Sequence, residues 1–305
     1  VNRRSLSPAR LARRLPFPFR AASVPPGVDP PERSTGRGAD FDTDWARRYP
    51  ARLARLALLE TVIRGTTKAL ADPQRRGLDR LDDLEGPAVF VANHHSHLDT
   101  PLLLTSIPEP WRHKVVVGAA ADYFFATRVS GAAAALALNA IPIDRTRVSR
   151  RSARLAEDLL HEGWSLLIFP EGGRSPDGWG QPFRGGAAYM ALRTGLPVVP
   201  VHVAGSGRIL GKGMRRPRPG RTRVTFGSPI VADPDDDARS LGRRIEAAVA
   251  ALADESTTDW YQARVNAHAG TTPALTGPDS PTWRRAWALG DPKRIRRRRE
   301  WPDLG

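Results

Sequence analysis

The chain reads as an α/β protein: a single sandwich domain with a mainly parallel mixed sheet flanked by helices, plus an N-terminal amphipathic helix and basic tails. Three observations predict this. Short apolar runs alternate with stretches of helical periodicity from about residue 45 to residue 253. The polar clusters that close those runs hold histidines, acids and paired glycines, the residue types found in loops at the carboxyl edge of a parallel sheet. Charge is concentrated at the two ends. Of a formal net charge of +15, residues 1–20 supply +6 through six arginines with no acid, and residues 283–301 supply another +6.

Taken in order, residues 1–43 read as a disordered basic tail, because Pro25-Pro26, Pro30-Pro31 and the run from Ser34 to Gly38 are loop formers with little apolar content. From Trp45 to Leu70, Leu53, Leu56, Leu58, Leu59, Val62 and Ile63 recur at helical spacing with Arg52, Arg55 and Arg64 between them. Residues 87–92 form a buried strand and 100–106 a helix. Val115–Gly118 is a second strand, 121–138 an Ala-rich helix and Ile141–Ile143 a third strand. Arg150–His161 is amphipathic and helical, and Ser165–Phe169 is a fourth strand. Gly186–Thr194 is a helix stopped by Gly195. Val198–Val203 and Arg223–Phe226 are further strands, and Asp237–Ala253 is the last core helix. Residues 44–253 are therefore one domain, with its motifs between about 74 and 232. Residues 254–305 read as a linker followed by a basic tail in which Trp283, Trp287 and Trp301 stand among arginines.

Composition excludes several chemistries. There is no cysteine, hence no disulfide, no thiolate nucleophile and no Cys-based zinc site. The longest mainly apolar run, about 129–143, is interrupted by Ser130, Asn139 and Pro142 and is too short for a bilayer core of about 30 Å. The Arg-rich start is followed by no apolar segment of the kind that signals secretion. Membrane contact is expected to be peripheral, through basic and aromatic side chains on an anionic surface. The same charge would attract nucleic acid, but it lies in tails and not on a recognisable module, so no specific nucleic-acid partner is expected.

Three clusters carry the chemistry. The first is Asn93-His94-His95-Ser96-His97-Leu98-Asp99, where a buried strand meets a helix start. A histidine near neutral pH can take a proton from a hydroxyl, and a carboxylate on its other nitrogen fixes the tautomer. On one continuous helix His94 and Asp99 would diverge by about 140°, so they meet only if the chain turns between them. Asp99 before Thr100-Pro101 also reads as a plain helix cap. The three histidines lack a clear third-ligand pattern, and no metal is expected. The second cluster is Phe169-Pro170-Glu171-Gly172-Gly173-Arg174-Ser175. Its glycines admit close backbone approach, Arg174 offers a fork for phosphate oxygens, and Glu171 can accept from polyol hydroxyls. An exposed Glu–Arg turn is the plainer reading. The third cluster, Ile141-Pro142-Ile143-Asp144-Arg145, delivers Arg145 to the same sheet edge or is an ordinary surface pair.

Together these clusters resemble the glycerophospholipid acyltransferase family, most of all its bacterial 1-acylglycerol-3-phosphate acyltransferases. The family's Asn-His-x-Ser-x-x-Asp block is matched by Asn93, His94, Ser96 and Asp99. Its Phe-Pro-Glu-Gly-x-Arg-Ser block is matched at all six fixed positions of 169–175, and Val199-Pro200-Val201 resembles a further strand block. One block departs: Gly-x-x-Phe-x-x-Arg becomes Asn139, Pro142 and the retained Arg145.

The resemblance covers about 74–232 and implies the following. His94 acts as general base and Asp99 orients it, with Asn93 and Ser96 shaping the loop. Arg145, Gly172, Arg174 and Ser175 bind the phosphate of the acceptor, and Glu171 a glycerol hydroxyl. The acyl donor is acyl-CoA or acyl carrier protein as co-substrate, and no cofactor is implied. The acceptor is a phosphorylated glycerolipid, 1-acylglycerol 3-phosphate first, with glycerol 3-phosphate, a lysophospholipid or a glycolipid as alternatives for the same chemistry and a basic lipid- or nucleic-acid-binding protein as the non-enzymatic alternative. The expected location is cytoplasmic, on the inner face of the cell membrane.

Overall fold

The computed structural model describes residues 38–144 and 150–289 of the 305. Among them lies a seven-stranded sheet: β1 (Pro73–Arg76), β2 (Val89–Ala92), β3 (Val115–Ala120), β4 (Ala140–Ile143), β5 (Ser165–Ile168), β6 (Val198–Ala204) and β7 (Thr222–Phe226), in the order β1-β7-β6-β2-β5-β3-β4. Strands β6, β2, β5, β3 and β4 run parallel, β7 runs antiparallel to β6, and β1 runs parallel to β7. This is the mainly parallel mixed sheet that the alternation of apolar runs predicts.

Alternation of side chains along the central strand β2 sorts the core into two layers. Phe90 and Ala92 face Leu102, Leu103, Ile107 and Trp111 on one side. Val89 and Val91 face Leu159, Leu160, Met190, Leu241 and Ile245 on the other. The helices that cover these faces are α1 (Tyr49–Leu58), α2 (Arg64–Ala71), α3 (Asp99–Ser106), α4 (Ala121–Phe124), α5 (Arg128–Leu138), α6 (Arg150–His161), α7 (Gly186–Thr194), α8 (Ser206–Leu210), α9 (Ala238–Thr257), α10 (Trp260–Ala269) and α11 (Thr282–Ala288). A π-helical turn, Leu59–Ile63, joins α1 to α2, so the N-terminal amphipathic segment is one helix to Ala71.

Four expectations change. The helix expected over 121–138 is split, because the Thr127 side chain caps α5 in a reciprocal box with Ser130. Strand β1 was not legible, since Pro-Gln-Arg-Arg is an exposed edge with no apolar signal. The basic tail assigned to 1–43 is overturned at its end: Thr43 is buried and the Phe41 ring packs 5.3 Å from that of Phe125. Residues 1–37 lie outside the described residues. The linker expected after residue 253 instead continues α9 to Thr257 and then forms α10, whose Ala263 is buried and whose Asn266 donates to Asp254 at 2.7 Å. The following helix α11 carries Trp283 and Trp287, both exposed, while Trp301 lies outside the described residues.

Asn139 explains one departure from the family pattern. It stops α5 at φ 53°, in the left-handed region that glycine adopts freely and asparagine tolerates better than most residues. Its side-chain amide then donates to the Val115 carbonyl at 2.8 Å. Asn139 thus takes a left-handed backbone conformation of the kind that glycine adopts freely. Pro142 sits in β4, at the sheet edge, where a lost N–H is tolerated.

Candidate active site

The strands β2 and β5 end side by side, and the loops leaving them build the site. The first loop is anchored by Asn93, which extends the ladder through its side chain: its amide donates to the Val203 carbonyl at 3.0 Å and its oxygen accepts from the Val203 N–H at 2.7 Å. The chain then turns around Asp99, the first residue of α3. One fully buried carboxylate oxygen, Oδ2, accepts from the backbone N–H of His95 at 2.6 Å and of Ser96 at 2.7 Å, and lies 2.9 Å from His94 Nδ1. The turn required by the five-residue spacing is therefore made, and Asp99 is the imidazole partner and not the helix cap, since the cap position is Leu98 and no side chain bonds the first helical N–H groups. Ser96 donates to the Leu210 carbonyl at 2.8 Å and accepts from the Leu98 N–H at 3.1 Å, tying the loop to α8.

The His94 ring stacks on Phe169, centroids 4.2 Å apart and planes 22° from parallel. With Nδ1 held by Asp99 and one face covered, Nε2 is the nitrogen left for chemistry. The side chain is 18% exposed, enough for a substrate to reach it.

The second loop braces the first. Ser175 N–H donates to the His94 carbonyl at 2.9 Å, and the Ser175 hydroxyl accepts from the Gly178 N–H at 2.7 Å. Glu171, expected to face a polyol hydroxyl, is instead buried and engaged on both oxygens. One accepts from the His94 N–H at 2.7 Å, the other from the Gln181 N–H at 2.9 Å. Burial pushes its carboxyl up to about 7; the two backbone donors oppose that shift, and the nearby charge of Asp99 adds to it. Gly172 has φ 70°, in the left-handed region, so the backbone there favours glycine.

Arg174 is half-buried and has no ion pair among the described residues. Its charge is felt by His97, whose basicity is lowered first by partial burial, then by Arg174 and His94. Arg174 and His94 are thus near enough for their charges to act on His97, whose ring lies 6.0 Å from that of Tyr123. Arg145 lies outside the described residues.

Sequence reasoning missed two contributors. Gln181 lies six residues beyond the motif, and only its backbone N–H grips Glu171. His202 sits in β6 behind the loop, almost fully buried, and desolvation pushes its imidazole down to about 3, with the charge of His95 lowering it further and that of Asp99 opposing the shift. Within Val-Val-Pro-Val-His-Val-Ala it reads as one polar residue in a buried strand, with nothing to connect it to Asp99.

The profile of the Acyltransferase family matches residues 72–204, the segment from β1 through β6 that carries both loops. Those residues are therefore similar to that family. Curated relatives include the chloroplastic 1-acyl-sn-glycerol-3-phosphate acyltransferase BAT2 of Brassica napus, 33% identical over 164 residues, 53% of this chain and 46% of that one. The alpha form from Ovis aries is 30% identical over 178 residues, covering 57% and 60%. The chain spans about half the length of the curated relatives it matches. The chain also shares its fold with the crystal structure of the 1-acyl-sn-glycerophosphate (LPA) acyltransferase PlsC from Thermotoga maritima. That likeness has a TM-score of 0.53 and 24% identity, and covers 70% of this chain and 83% of that chain.

Proposed function

We propose that the chain is an O-acyltransferase that moves a fatty acyl group from acyl-CoA or acyl carrier protein to the free hydroxyl of 1-acylglycerol 3-phosphate. The observation that carries this reading is the 2.9 Å contact of His94 Nδ1 with Asp99, which leaves Nε2 for an incoming hydroxyl, beside the loop that carries Arg174. The similarity to proteins named 1-acyl-sn-glycerol-3-phosphate acyltransferases supports the acceptor.

The chemistry follows from the groups. An alcohol is a poor nucleophile until its proton leaves. His94 Nε2 takes that proton as the oxygen attacks the thioester carbonyl, and Asp99 stabilises the imidazolium. Collapse of the tetrahedral adduct breaks the carbon–sulfur bond, and the imidazolium returns the proton to the thiolate. No protein nucleophile is needed, in keeping with a chain that has no cysteine. Arg174 pairs with the acceptor phosphate, joined in this reading by Arg145, Gly172 and Ser175. Glu171 holds the His94 backbone in place of a substrate hydroxyl. The co-substrate is the thioester, and the mechanism calls on no metal or cofactor.

An anionic membrane surface on the cytoplasmic side is the proposed workplace. No helix among the described residues is long and apolar enough to cross a membrane. Exposed Trp260, Tyr261, Trp283 and Trp287, with Arg264 and Arg284 over two of those indoles, form the aromatic and cationic mixture that suits headgroup depth. The deciding experiment incubates purified protein with oleoyl-CoA and lysophosphatidic acid, then repeats the assay with glycerol 3-phosphate, a lysophospholipid and a glycolipid. Formation of phosphatidic acid in preference to the other products is expected. A different preferred acceptor would overturn the acceptor assignment, and no acyl transfer to any of them, with either thioester, would overturn the activity.

A further inference from the structure

The edge of the sheet opposite His94 bears a cavity. His94 and Arg174 follow the carboxyl ends of β2 and β5, whereas Val115 opens β3 and Asn139 immediately precedes β4. Around those two residues a cavity of about 170 Å³ is lined by Arg52, Leu53, Arg55 and Leu56 of α1, with Arg112 and Asn139 opposite.

Its charges are unevenly compensated. Arg112 has Glu60 and Glu109 carboxylates 3.5 Å away. Arg55 is buried and donates to one protein acceptor, the Ala46 carbonyl at 2.8 Å, and neither it nor Arg52 has a carboxylate partner among the described residues. Arg52 lies over the Trp164 ring at 5.5 Å. Burial pushes the Arg55 guanidinium down to about 10, and the neighbouring charges of Arg52 and Arg47 push the same way. A guanidinium has five N–H donors, and burying one beside like charges is costly until an anion arrives.

Two further observations shape the ligand. Leu53 and Leu56 are 47% and 43% exposed, so the cavity opens along an uncovered apolar strip. The buried Asn139 offers an oxygen with no partner among the described residues. That acceptor suits a head that also carries a hydroxyl or a protonated oxygen.

We propose that this cavity binds a single-chain anionic amphiphile, its oxyanion head between Arg52 and Arg55 and its alkyl chain along Leu53 and Leu56. The volume suits a headgroup and a few methylenes, being about six times the roughly 30 Å³ that a water occupies in the liquid. The rest of the chain lies on the outer face of α1 towards Tyr49, which is itself exposed.

The test reads binding and not turnover, so its failure leaves the acyl-transfer reading untouched. The full chain is titrated calorimetrically with monomeric dodecyl phosphate and, in parallel, dodecanoate, inorganic phosphate and dodecanol. Two variants alter the cavity, Arg55→Met and Arg52→Met; the second changes an exposed side chain and keeps the test valid where the first does not fold. Arg174→Ala reports on the opposite edge. The expected result is a class of amphiphile sites lost about tenfold or more in affinity in the cavity variants and retained in Arg174→Ala. The anion that loses more on Arg52→Met identifies the head as phosphate or carboxylate. Titrations unchanged by both cavity variants would overturn the proposal. So would dodecanol or inorganic phosphate binding as tightly as the amphiphiles, because each would remove one half of the recognition.

Discussion

The loops that follow β2 and β5 stand side by side at one sheet edge but are built in opposite ways. In the first, Asp99 Oδ2 gathers two backbone N–H groups and an imidazole, so the loop closes on its own acid. The second spends Glu171 and Ser175 on the first loop, through the backbone of His94, and leaves Arg174 without an ionic partner among the described residues. One loop fixes the His94 imidazole, the base of the proposed reaction; the other braces it and presents a cation without an ionic partner among the described residues. Rigid placement serves a group that must meet a proton at hydrogen-bond distance, while a phosphate clamp gains from having its donors free until substrate arrives.

The comparison breaks most visibly at the fixed base. His94→Ala is expected to lower kcat by roughly 10²–10⁴ while the fold survives, since general-base catalysis contributes about that much. Asp99→Asn should fall in the same range and also disturb the loop, because the amide is a poorer acceptor for the His95 and Ser96 N–H groups. Circular dichroism separates the two effects. A well-folded His94→Ala with ordinary turnover would remove the imidazole from the chemistry.

The free cation should behave differently. Arg174→Ala removes a charge-assisted contact to the acceptor and, at about 1.5–3 kcal/mol for such a bond, should raise acceptor KM by roughly 10- to 100-fold, with little change in thioester KM. A rise confined to the thioester would assign the guanidinium to the wrong substrate.

Much of this was legible in the sequence, and the limits have physical causes. The strands β2, β5 and β6 announce themselves because they are buried on both faces. The His94/Asp99 pair is legible because the spacing requires a turn that a strand-to-helix junction supplies. The burial of Glu171 was not legible, because composition cannot tell a carboxylate that greets solvent from one that accepts two backbone N–H groups. Strand β1 and helices α10 and α11 escaped because they are exposed, and periodicity records burial more than hydrogen bonding.

The brace gives a subtler prediction. Glu171→Gln keeps an acceptor for one backbone N–H and turns a donor toward the other, so the His94 loop loosens. kcat should fall a few-fold, in line with about 1 kcal/mol of lost hydrogen bonding, while acceptor KM stays near the wild-type value. A raised acceptor KM with unchanged kcat would restore the polyol-binding role.

The smallest effect concerns stability against pH and sets Glu171 against His202. The Glu171 carboxyl is raised to about 7 from its ordinary value near 4.5, so the folded chain holds a proton that the unfolded chain releases. That contribution is fully present below about 4.5 and is lost as pH rises through about 7. The His202 imidazole is lowered to about 3 from about 6.5, so its contribution is present above about 6.5 and is lost as pH falls towards 3. Between about 4.5 and 6.5 the two slopes oppose each other, each limited to roughly 1.4 kcal/mol per pH unit. Denaturant unfolding of Glu171→Gln should therefore show stability rising more steeply with pH over that window than in the wild type. His202→Phe should show the reverse, a curve that falls as pH rises. Parallel curves for the two variants would mean that one of these groups does not carry the proton assigned to it, and the brace would then have to work without a protonated carboxyl behind the His94 loop.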